Sequence, residues 1–139
     1  QDGLNWADVN AEIQEKFPKV ERISVNELKI KDLKDVILVD VRKKEEFAVS
    51  HIPGAVNLED PFDIAELASQ SDKNIVVYCS VGYRSAAVVH ELKNLGITNA
   101  TNLEGSLFEW ANQDLPLVNK VGSTRDVHPY DEYWGQLLD

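Results

Sequence analysis

Two unbroken apolar runs mark the most clearly predicted strands of this chain. Val36-Ile37-Leu38-Val39 and Asn74-Ile75-Val76-Val77-Tyr78 are rich in β-branched residues and too short to be helices. Because their side chains are apolar in both directions, we expect both strands to lie inside a parallel sheet that helices cover on each face. Two shorter runs, 55–58 and 100–103, predict further strands.

The segments between these strands have helical spacing or helix-capping residues. Apolar positions predict an N-terminal helix over 5–17, which ends before Pro18. Ser24-Val25-Asn26-Glu27 is a capping-box pattern and predicts a short helix through about residue 33. Strands and helices therefore alternate, as in a doubly wound α/β domain. The remaining predicted helices cover 44–49, 63–69, 85–95 (closed by Gly96) and 106–112.

Composition and charge exclude several classes of function. The chain has 139 residues, 43% of them hydrophobic and 27% charged, which fits one folded domain. No apolar run approaches the roughly 20 residues of a membrane helix, so we expect no membrane association. The net charge of −10 argues against binding to nucleic acid, which requires clustered Lys and Arg.

Cysteine and histidine usage limits the chemistry further. Cys79 is the only cysteine, which excludes an intrachain disulfide and a CxxC metal or redox site. The three histidines lack metal-ligand spacing, and no Gly-rich phosphate loop occurs, so we expect no metal and no other cofactor. No signal peptide is visible, which favours a cytoplasmic protein, but the first residue is Gln1 rather than Met and a periplasmic location stays open.

One segment contains the candidate chemistry, and it lies where a buried strand ends and a helix begins: Tyr78-Cys79-Ser80-Val81-Gly82-Tyr83-Arg84-Ser85. Ligands of open α/β sheets bind at such strand ends. Converging backbone N–H groups, the helix dipole and the Arg84 guanidinium all favour an anion here, and therefore the thiolate of Cys79. Gly82 permits an unusual backbone angle, and Ser85 is the predicted N-cap of the helix.

These residues belong to a pattern that resembles the rhodanese-like sulfurtransferases in their single-domain form, over roughly 23–117. The resemblance implies a five-stranded parallel sheet with helices on both faces. We therefore divide the chain into an N-terminal helical extension (1–22), a rhodanese-like domain (23–117) and an aromatic C-terminal tail (118–139) that packs on the domain. Three signatures account for the resemblance: Val39-Asp40-Val41-Arg42 with Glu45-Glu46-Phe47 and 51–58; 79–85; and Glu104-Gly105 with Trp110 and 115–117.

The resemblance implies a persulfide mechanism. Cys79 attacks the outer sulfur of thiosulfate or of a persulfide donor, and a thiol or cyanide then accepts that sulfur. Cys79 and Arg84 are the predicted catalytic residues, and Asp40 and Arg42 are predicted to support the site. The predicted substrate-binding residues are the rest of the loop: Ser80, Val81, Gly82, Tyr83 and Ser85.

The expected partners are a small-molecule sulfur donor and a thiol acceptor, and a protein acceptor is left open. Ser80 stands where many thiosulfate-using relatives have a second basic residue, which leaves the donor open as well. A non-enzymatic sulfur carrier or a regulatory binding module is the alternative from a different class. A phosphatase or arsenate reductase on the same fold is disfavoured, because four residues rather than five separate Cys79 from Arg84.

Overall fold

The computed structural model describes residues 5–139. Its main sheet consists of five parallel strands: β1 (Arg22–Ser24), β2 (Val36–Asp40), β3 (Val56–Asn57), β4 (Asn74–Tyr78) and β5 (Ala100–Glu104). The order across the sheet is β1-β5-β4-β2-β3, so β4 lies in the centre. A small antiparallel pair begins at the last residue of the predicted domain and continues into the C-terminal tail: β6 (Leu117–Val118) and β7 (Ser123–Thr124).

Helices cover both faces of the sheet, as the sequence predicts. They are α1 (Trp6–Lys16), α2 (Val25–Lys29), α3 (Lys44–Val49), α4 (Pro61–Ser69), α5 (Tyr83–Asn94), α6 (Ser106–Asn112) and α7 (Glu132–Gly135). The described part of the chain contains no helix that is both long and apolar enough to cross a membrane.

Alternation along β4 builds two cores, one on each face of the sheet. Ile75 and Val77 belong to a buried cluster with residues of α4 and α5. Val76 and Tyr78 point the other way, into a cluster with residues of α2 and α6. Because successive side chains of a strand point to opposite faces, an apolar run such as this one serves both cores. The predicted fold class is therefore confirmed.

Three local predictions differ from the structure. Strand β1 was not predicted, because its three residues, Arg22–Ser24, show no apolar run and pair only with the distant β5. Helix α2 ends at Lys29 rather than near residue 33, and a separate 3-10 turn covers Leu33–Asp35. Helix α5 begins at Tyr83, so Ser85 lies inside its first turn and is not the N-cap.

A third buried cluster joins the two ends of the chain to the loop after β4. Val9 and Ile13 of α1 pack with Val81 and with Leu137 of the tail. The tail is also attached through Asn112, whose Nδ2 donates to the Leu137 carbonyl at 2.8 Å. Helix α1 and the C-terminal tail therefore both pack against the segment in which the sequence places the candidate chemistry.

We expect Leu137→Ala to lower the free energy of unfolding by about 2–3 kcal/mol, because it removes a buried leucine from the third cluster. Chemical denaturation followed by circular dichroism measures the change. Leu138→Ala is the matched control, since Leu138 is only partly buried. Equal losses in the two variants would contradict the packing of the tail at Leu137.

Candidate active site

The candidate site lies at the carboxyl end of β4, where backbone hydrogen bonds from α6 hold the chain. The Leu107 N–H donates to the Cys79 carbonyl at 3.1 Å, and the Phe108 N–H donates to the Ser80 carbonyl at 3.0 Å. The Cys79 N–H in turn donates to Ser106 Oγ at 3.3 Å. The first turn of α6 therefore fixes the backbone on which Cys79 stands.

Two backbone N–H groups of the loop point at the sulfur of Cys79. Gly82 N lies 3.1 Å from Sγ, and Ser85 N lies 3.5 Å from it. Gly82 has φ +117°, a left-handed conformation that a residue with a side chain rarely adopts. This angle turns the chain so that Gly82 and the first turn of α5 face Sγ. Both N–H donors therefore converge on the one sulfur atom of the loop.

The Ser85 hydroxyl links Cys79 to the neighbouring strand β5. Ser85 Oγ lies 3.3 Å from Cys79 Sγ and 2.5 Å from Asn102 Oδ1. Asn102 Nδ2 donates to the Gly82 carbonyl at 3.2 Å, which fixes the orientation of the amide. Because a hydroxyl has one proton, Ser85 donates either to Asn102 or to the sulfur. When the Ser85 hydroxyl donates to Asn102, the Cys79 sulfur retains only the N–H donors of Gly82 and Ser85.

A buried carboxylate from α3 binds the arginine of the loop. Glu46 is 3% exposed, and it accepts from Arg84 Nη1 at 2.9 Å and from Arg84 Nη2 at 3.1 Å. Arg84 Nη2 also donates to Ser80 Oγ at 3.0 Å. Ser80 Oγ lies 3.3 Å from Glu46 Oε2. This ion pair ties the loop to α3 and leaves little uncompensated positive charge beside the sulfur.

The pKa values of the pair follow from burial and from their contact. Burial by itself raises the pKa of Glu46, but the hydrogen bonds and charge of Arg84 outweigh it and lower that pKa below its ordinary value. Burial opposes the charge of Arg84, yet its hydrogen bonds to Glu46 and the nearby Cys79 sulfur raise its pKa. Both groups are therefore ionised around neutral pH.

Asp40 and Arg42 form a fully buried ion pair beside the site, with Arg42 Nε 3.0 Å from Asp40 Oδ1 and Nη2 2.7 Å from Oδ2. Arg42 Nη2 also donates to the Ser50 carbonyl at 2.7 Å. Asn57 Nδ2 donates to the carbonyls of both residues. The pair thus holds the end of β2 against the segments around Ser50 and Asn57.

A cavity of about 390 Å³ opens over Cys79, and its walls come from three parts of the chain. The residues that line it are Glu12, Cys79, Ser80, Val81, Tyr83, Arg84, Tyr130, Tyr133 and Trp134. The Tyr130 ring lies under the Arg84 guanidinium, 4.7 Å from centroid to Cζ. A larger groove of about 540 Å³ between α6 and the tail includes none of the loop residues, so the smaller cavity is the candidate site.

The structure brings most of the predicted site residues together. Cys79, Ser80, Val81, Tyr83 and Arg84 line the cavity. Gly82 and Ser85 lie behind the sulfur and contact it from there. Asp40 and Arg42 do not line the cavity.

Sequence reasoning missed several residues that the fold adds to the site: Glu12, Glu46, Asn102, Ser106, Tyr130, Tyr133 and Trp134. The sequence did contain an indication for Glu46. A loop arginine that becomes partly buried needs a carboxylate partner, and Glu46 lies in the first of the three signatures. Asn102 and Ser106 had no such local signal, since their contacts depend on the order of the strands.

Among the side chains that the structure describes, no group of three or more His, Cys, Asp or Glu converges as a metal site would require. The loop geometry instead presents one sulfur atom to the cavity, with N–H donors behind it. Such a site suits nucleophilic chemistry at sulfur.

A comparison of the sequence with known protein families is consistent with sulfur chemistry at this loop. The sequence model of the Rhodanese-like domain matches residues 25–113, which is more than half of the chain and includes the complete loop. The chain belongs to the rhodanese-like family. The match begins three residues after the predicted domain boundary at 22 and ends four residues before the one at 117.

Known members of the family are similar to this rhodanese-like chain over most of its length. A protein named "Sulfurtransferase" from Allochromatium vinosum is 34% identical over 97 residues, which cover 68% of this chain and 89% of that protein. Several other curated relatives are longer, and the match covers 47% of their length or less.

Solved structures agree on the fold. A rhodanese-related protein from Thermoplasma volcanium is 29% identical, with a TM-score of 0.60 over 70% of this chain and 97% of that one. A thiosulfate sulfurtransferase from Pseudomonas aeruginosa gives a TM-score of 0.67 over 93% of this chain and 25% of that one. At 17% identity, this second likeness concerns the fold alone.

We expect Glu46→Gln to lower the free energy of unfolding by about 2 kcal/mol near neutral pH, because Arg84 loses its partner. Wild-type stability has a pH dependence that this variant lacks. Because folding lowers the pKa of Glu46, its carboxylate binds a proton more readily in the unfolded chain than in the folded one. The stabilisation that ionised Glu46 gives the fold is therefore complete above the ordinary pKa of 4.5. This stabilisation is lost as the pH falls through the lower pKa that Glu46 has in the folded protein.

Urea denaturation at a series of pH values from neutral down to acid measures this difference. The wild-type curve is expected to fall more steeply below pH 4.5 than the Glu46→Gln curve. Glu45→Gln is the control, because Glu45 is an exposed carboxylate on the same helix. Parallel curves for the wild type and Glu46→Gln would contradict the ion pair.

We expect Gly82→Ala to slow alkylation of Cys79 by iodoacetamide several-fold at neutral pH. A Cβ at this φ of +117° is strained and would lie 3.4 Å from Ile13 Cδ1, so the Gly82 N–H moves away from the sulfur. Gly96→Ala is the matched control, since Gly96 also has a positive φ, +87°, but lies beyond the C-terminal end of α5, away from Cys79, with open space around it. Equal alkylation rates in both variants would refute the role of the Gly82 donor.

Proposed function

We propose that this protein is a sulfurtransferase that carries sulfur as a persulfide on Cys79. The rhodanese-like family and the sulfurtransferases among its relatives support sulfurtransferase activity in general. The observation that best supports the specific mechanism is the environment of the sulfur. Gly82 N–H and Ser85 N–H point at Sγ from behind, while the cavity opens in front of it.

Sulfur transfer then takes place in two displacements at sulfur. In the first, the Cys79 thiolate attacks the outer sulfur of thiosulfate or of an organic persulfide. A bond forms between the two sulfur atoms, the donor's own sulfur bond breaks, and sulfite or a thiolate leaves with the electron pair. In the second, cyanide or an acceptor thiolate attacks the outer sulfur of the persulfide, and the Cys79 thiolate leaves.

The loop donors act on the charge that Cys79 bears at the beginning and at the end of this cycle. The N–H groups of Gly82 and Ser85 are already in place before the reaction, so they stabilise the attacking and the leaving thiolate without rearrangement. Ser80, Val81 and Tyr83 line the space that the donor enters. In this proposal, they contact the part of the donor that leaves.

We assign Arg84 a role that is mainly positioning. Both of its terminal nitrogens already donate to Glu46, and one also donates to Ser80. Its charge supports the thiolate through space, while its hydrogen bonds fix the loop. The Asp40–Arg42 pair supports the site at a greater distance, through the end of β2.

Intact-mass spectrometry before and after addition of a sulfur donor tests the proposal directly. Cys79 is the only cysteine, so any added sulfur atom is assigned without peptide mapping. We expect the mass to rise by one sulfur atom after thiosulfate or an organic persulfide, and to return to its starting value after cyanide. Cys79→Ser should show no change, with an unchanged circular dichroism spectrum.

An unchanged mass with both donors, while Cys79 still reacts with iodoacetamide, would refute the persulfide mechanism. Loading without repeated turnover to cyanide or small thiols would instead favour a sulfur carrier. Hydrolysis of an aryl phosphate that requires Cys79 would favour the phosphatase alternative.

A further inference from the structure

We propose that the aromatic tail and Glu12 form a subsite for the organic part of a small thiol that bears a positively charged amine. This subsite rests on the proposed function, because the thiol is the acceptor of the Cys79 sulfur and its persulfide is the corresponding donor. The proposal therefore names a substrate class, the aminothiols, and sets it apart from anionic donors such as thiosulfate.

The cavity is large enough for an organic ligand. Its volume of about 390 Å³ falls within the range of small-molecule sites, roughly 300–1,000 Å³. The cavity has room for thiosulfate and for a small aminothiol alike, so its walls and its charge, rather than its size, distinguish these ligands. A thiol with an organic body both reaches Cys79 and contacts the walls.

Four of the nine residues that line the cavity are aromatic, and one of these rings already contacts a cation. The rings of Tyr83 and Trp134 pack edge to face at 5.5 Å, and those of Tyr133 and Trp134 do so at 5.0 Å. The Arg84 guanidinium lies over the Tyr130 ring at 4.7 Å. Since aromatic faces attract cations, a wall of this kind suits an ammonium group better than a carboxylate or a sulfonate.

Charge in the cavity favours the same ligand. Among the described residues that line it, Arg84 is the one cation, and Glu46 neutralises it through two hydrogen bonds. Glu12 contributes a carboxylate, and the Cys79 thiolate adds a second negative charge during reaction. Burial and then the Glu12 carboxylate raise the pKa of Tyr83, which therefore stays uncharged at neutral pH. An ammonium group beside Glu12 is attracted, and an anion there is repelled.

The tail is held in place before any ligand arrives. Leu137 is buried in the cluster that contains Val81, and Asn112 bonds to the tail backbone at both Leu137 and Asp139. Asp131 caps α7 by accepting from the Trp134 N–H at 2.8 Å. Because these contacts fix the backbone around Trp134, the aromatic wall is preorganised and little ordering is required on binding.

A comparison of three acceptors of similar size tests the subsite. Cysteamine, 2-mercaptoethanol and mercaptoacetate differ mainly in charge: positive, neutral and negative. Each is added to the Cys79 persulfide, and the single-turnover loss of one sulfur atom is followed by intact mass. Their thiolate attacks the outer sulfur, so the new persulfide forms on the acceptor and Cys79 regains its thiolate.

The three thiols differ in intrinsic reactivity, but this difference is the same for every protein variant. It therefore cancels when the ratio of the rate with one thiol to the rate with another is compared between variants. We expect the rate ratio of cysteamine to mercaptoacetate to fall roughly five-fold in Glu12→Gln, and to fall as salt is raised in the wild type. Trp134→Ala should lower the same ratio by removing an aromatic face. Glu15→Gln changes the net charge equally but lies on α1 outside the cavity lining, so its ratio should match the wild type.

A ratio that is the same in Glu12→Gln, Glu15→Gln and the wild type would overturn the subsite. A second measurement separates this result from failure of the persulfide mechanism, because it needs no sulfur transfer. S-methylcysteamine, which is a cation, and (methylthio)acetate, the anionic S-methylated form of mercaptoacetate, are titrated into the Cys79→Ser variant. The indole N–H signals of the tryptophans are followed by NMR. A larger shift of the Trp134 signal with S-methylcysteamine, which disappears when Glu12→Gln is added to the Cys79→Ser variant, supports the subsite. This result holds even if Cys79 of the wild type does not accept sulfur from a donor. Equal response to both compounds would overturn it.

Discussion

The ion pair between Glu46 and Arg84 connects the two parts of the chain on which the site depends. Glu46 belongs to the first turn of α3 and Arg84 to the first turn of α5, so the pair joins the elements that follow β2 and β4. It also binds Ser80 inside the loop. Without a carboxylate here, a partly buried guanidinium would stand uncompensated beside the sulfur, and the loop would lose its attachment to α3.

Neutralisation of Arg84 has a consequence for the chemistry of the site. The Cys79 sulfur is stabilised mainly by short-range donors, the backbone N–H groups of Gly82 and Ser85, rather than by a free side-chain cation. Backbone donors serve any leaving thiolate and do not select an anionic donor. In the function that we propose, selection of the substrate depends on the groups in front of the sulfur, where α1 and the C-terminal tail supply part of the walls.

Hydrophobic packing places those walls. Val9 and Ile13 of α1 and Leu137 of the tail share one buried cluster with Val81 of the loop. Helix α1 and the C-terminal tail lie outside the matched family region, 25–113, and both pack against the loop at 79–85. The common fold provides Cys79 and the N–H groups that point at its sulfur, while α1 and the C-terminal tail provide Glu12 and three of the aromatic residues that line the cavity.

Features that depend on neighbouring residues can be predicted from the amino-acid sequence. Apolar runs specify β2 and β4, the Ser24 capping box specifies the start of α2, and a cysteine followed by Gly82 at a strand end marks the candidate loop. The distant groups that meet at this loop are known from the fold alone. Glu46 lies 38 positions from Arg84, and Asn102 reaches Ser85 because β5 is placed beside β4. Strand order sets these contacts, and local side-chain pattern does not record it.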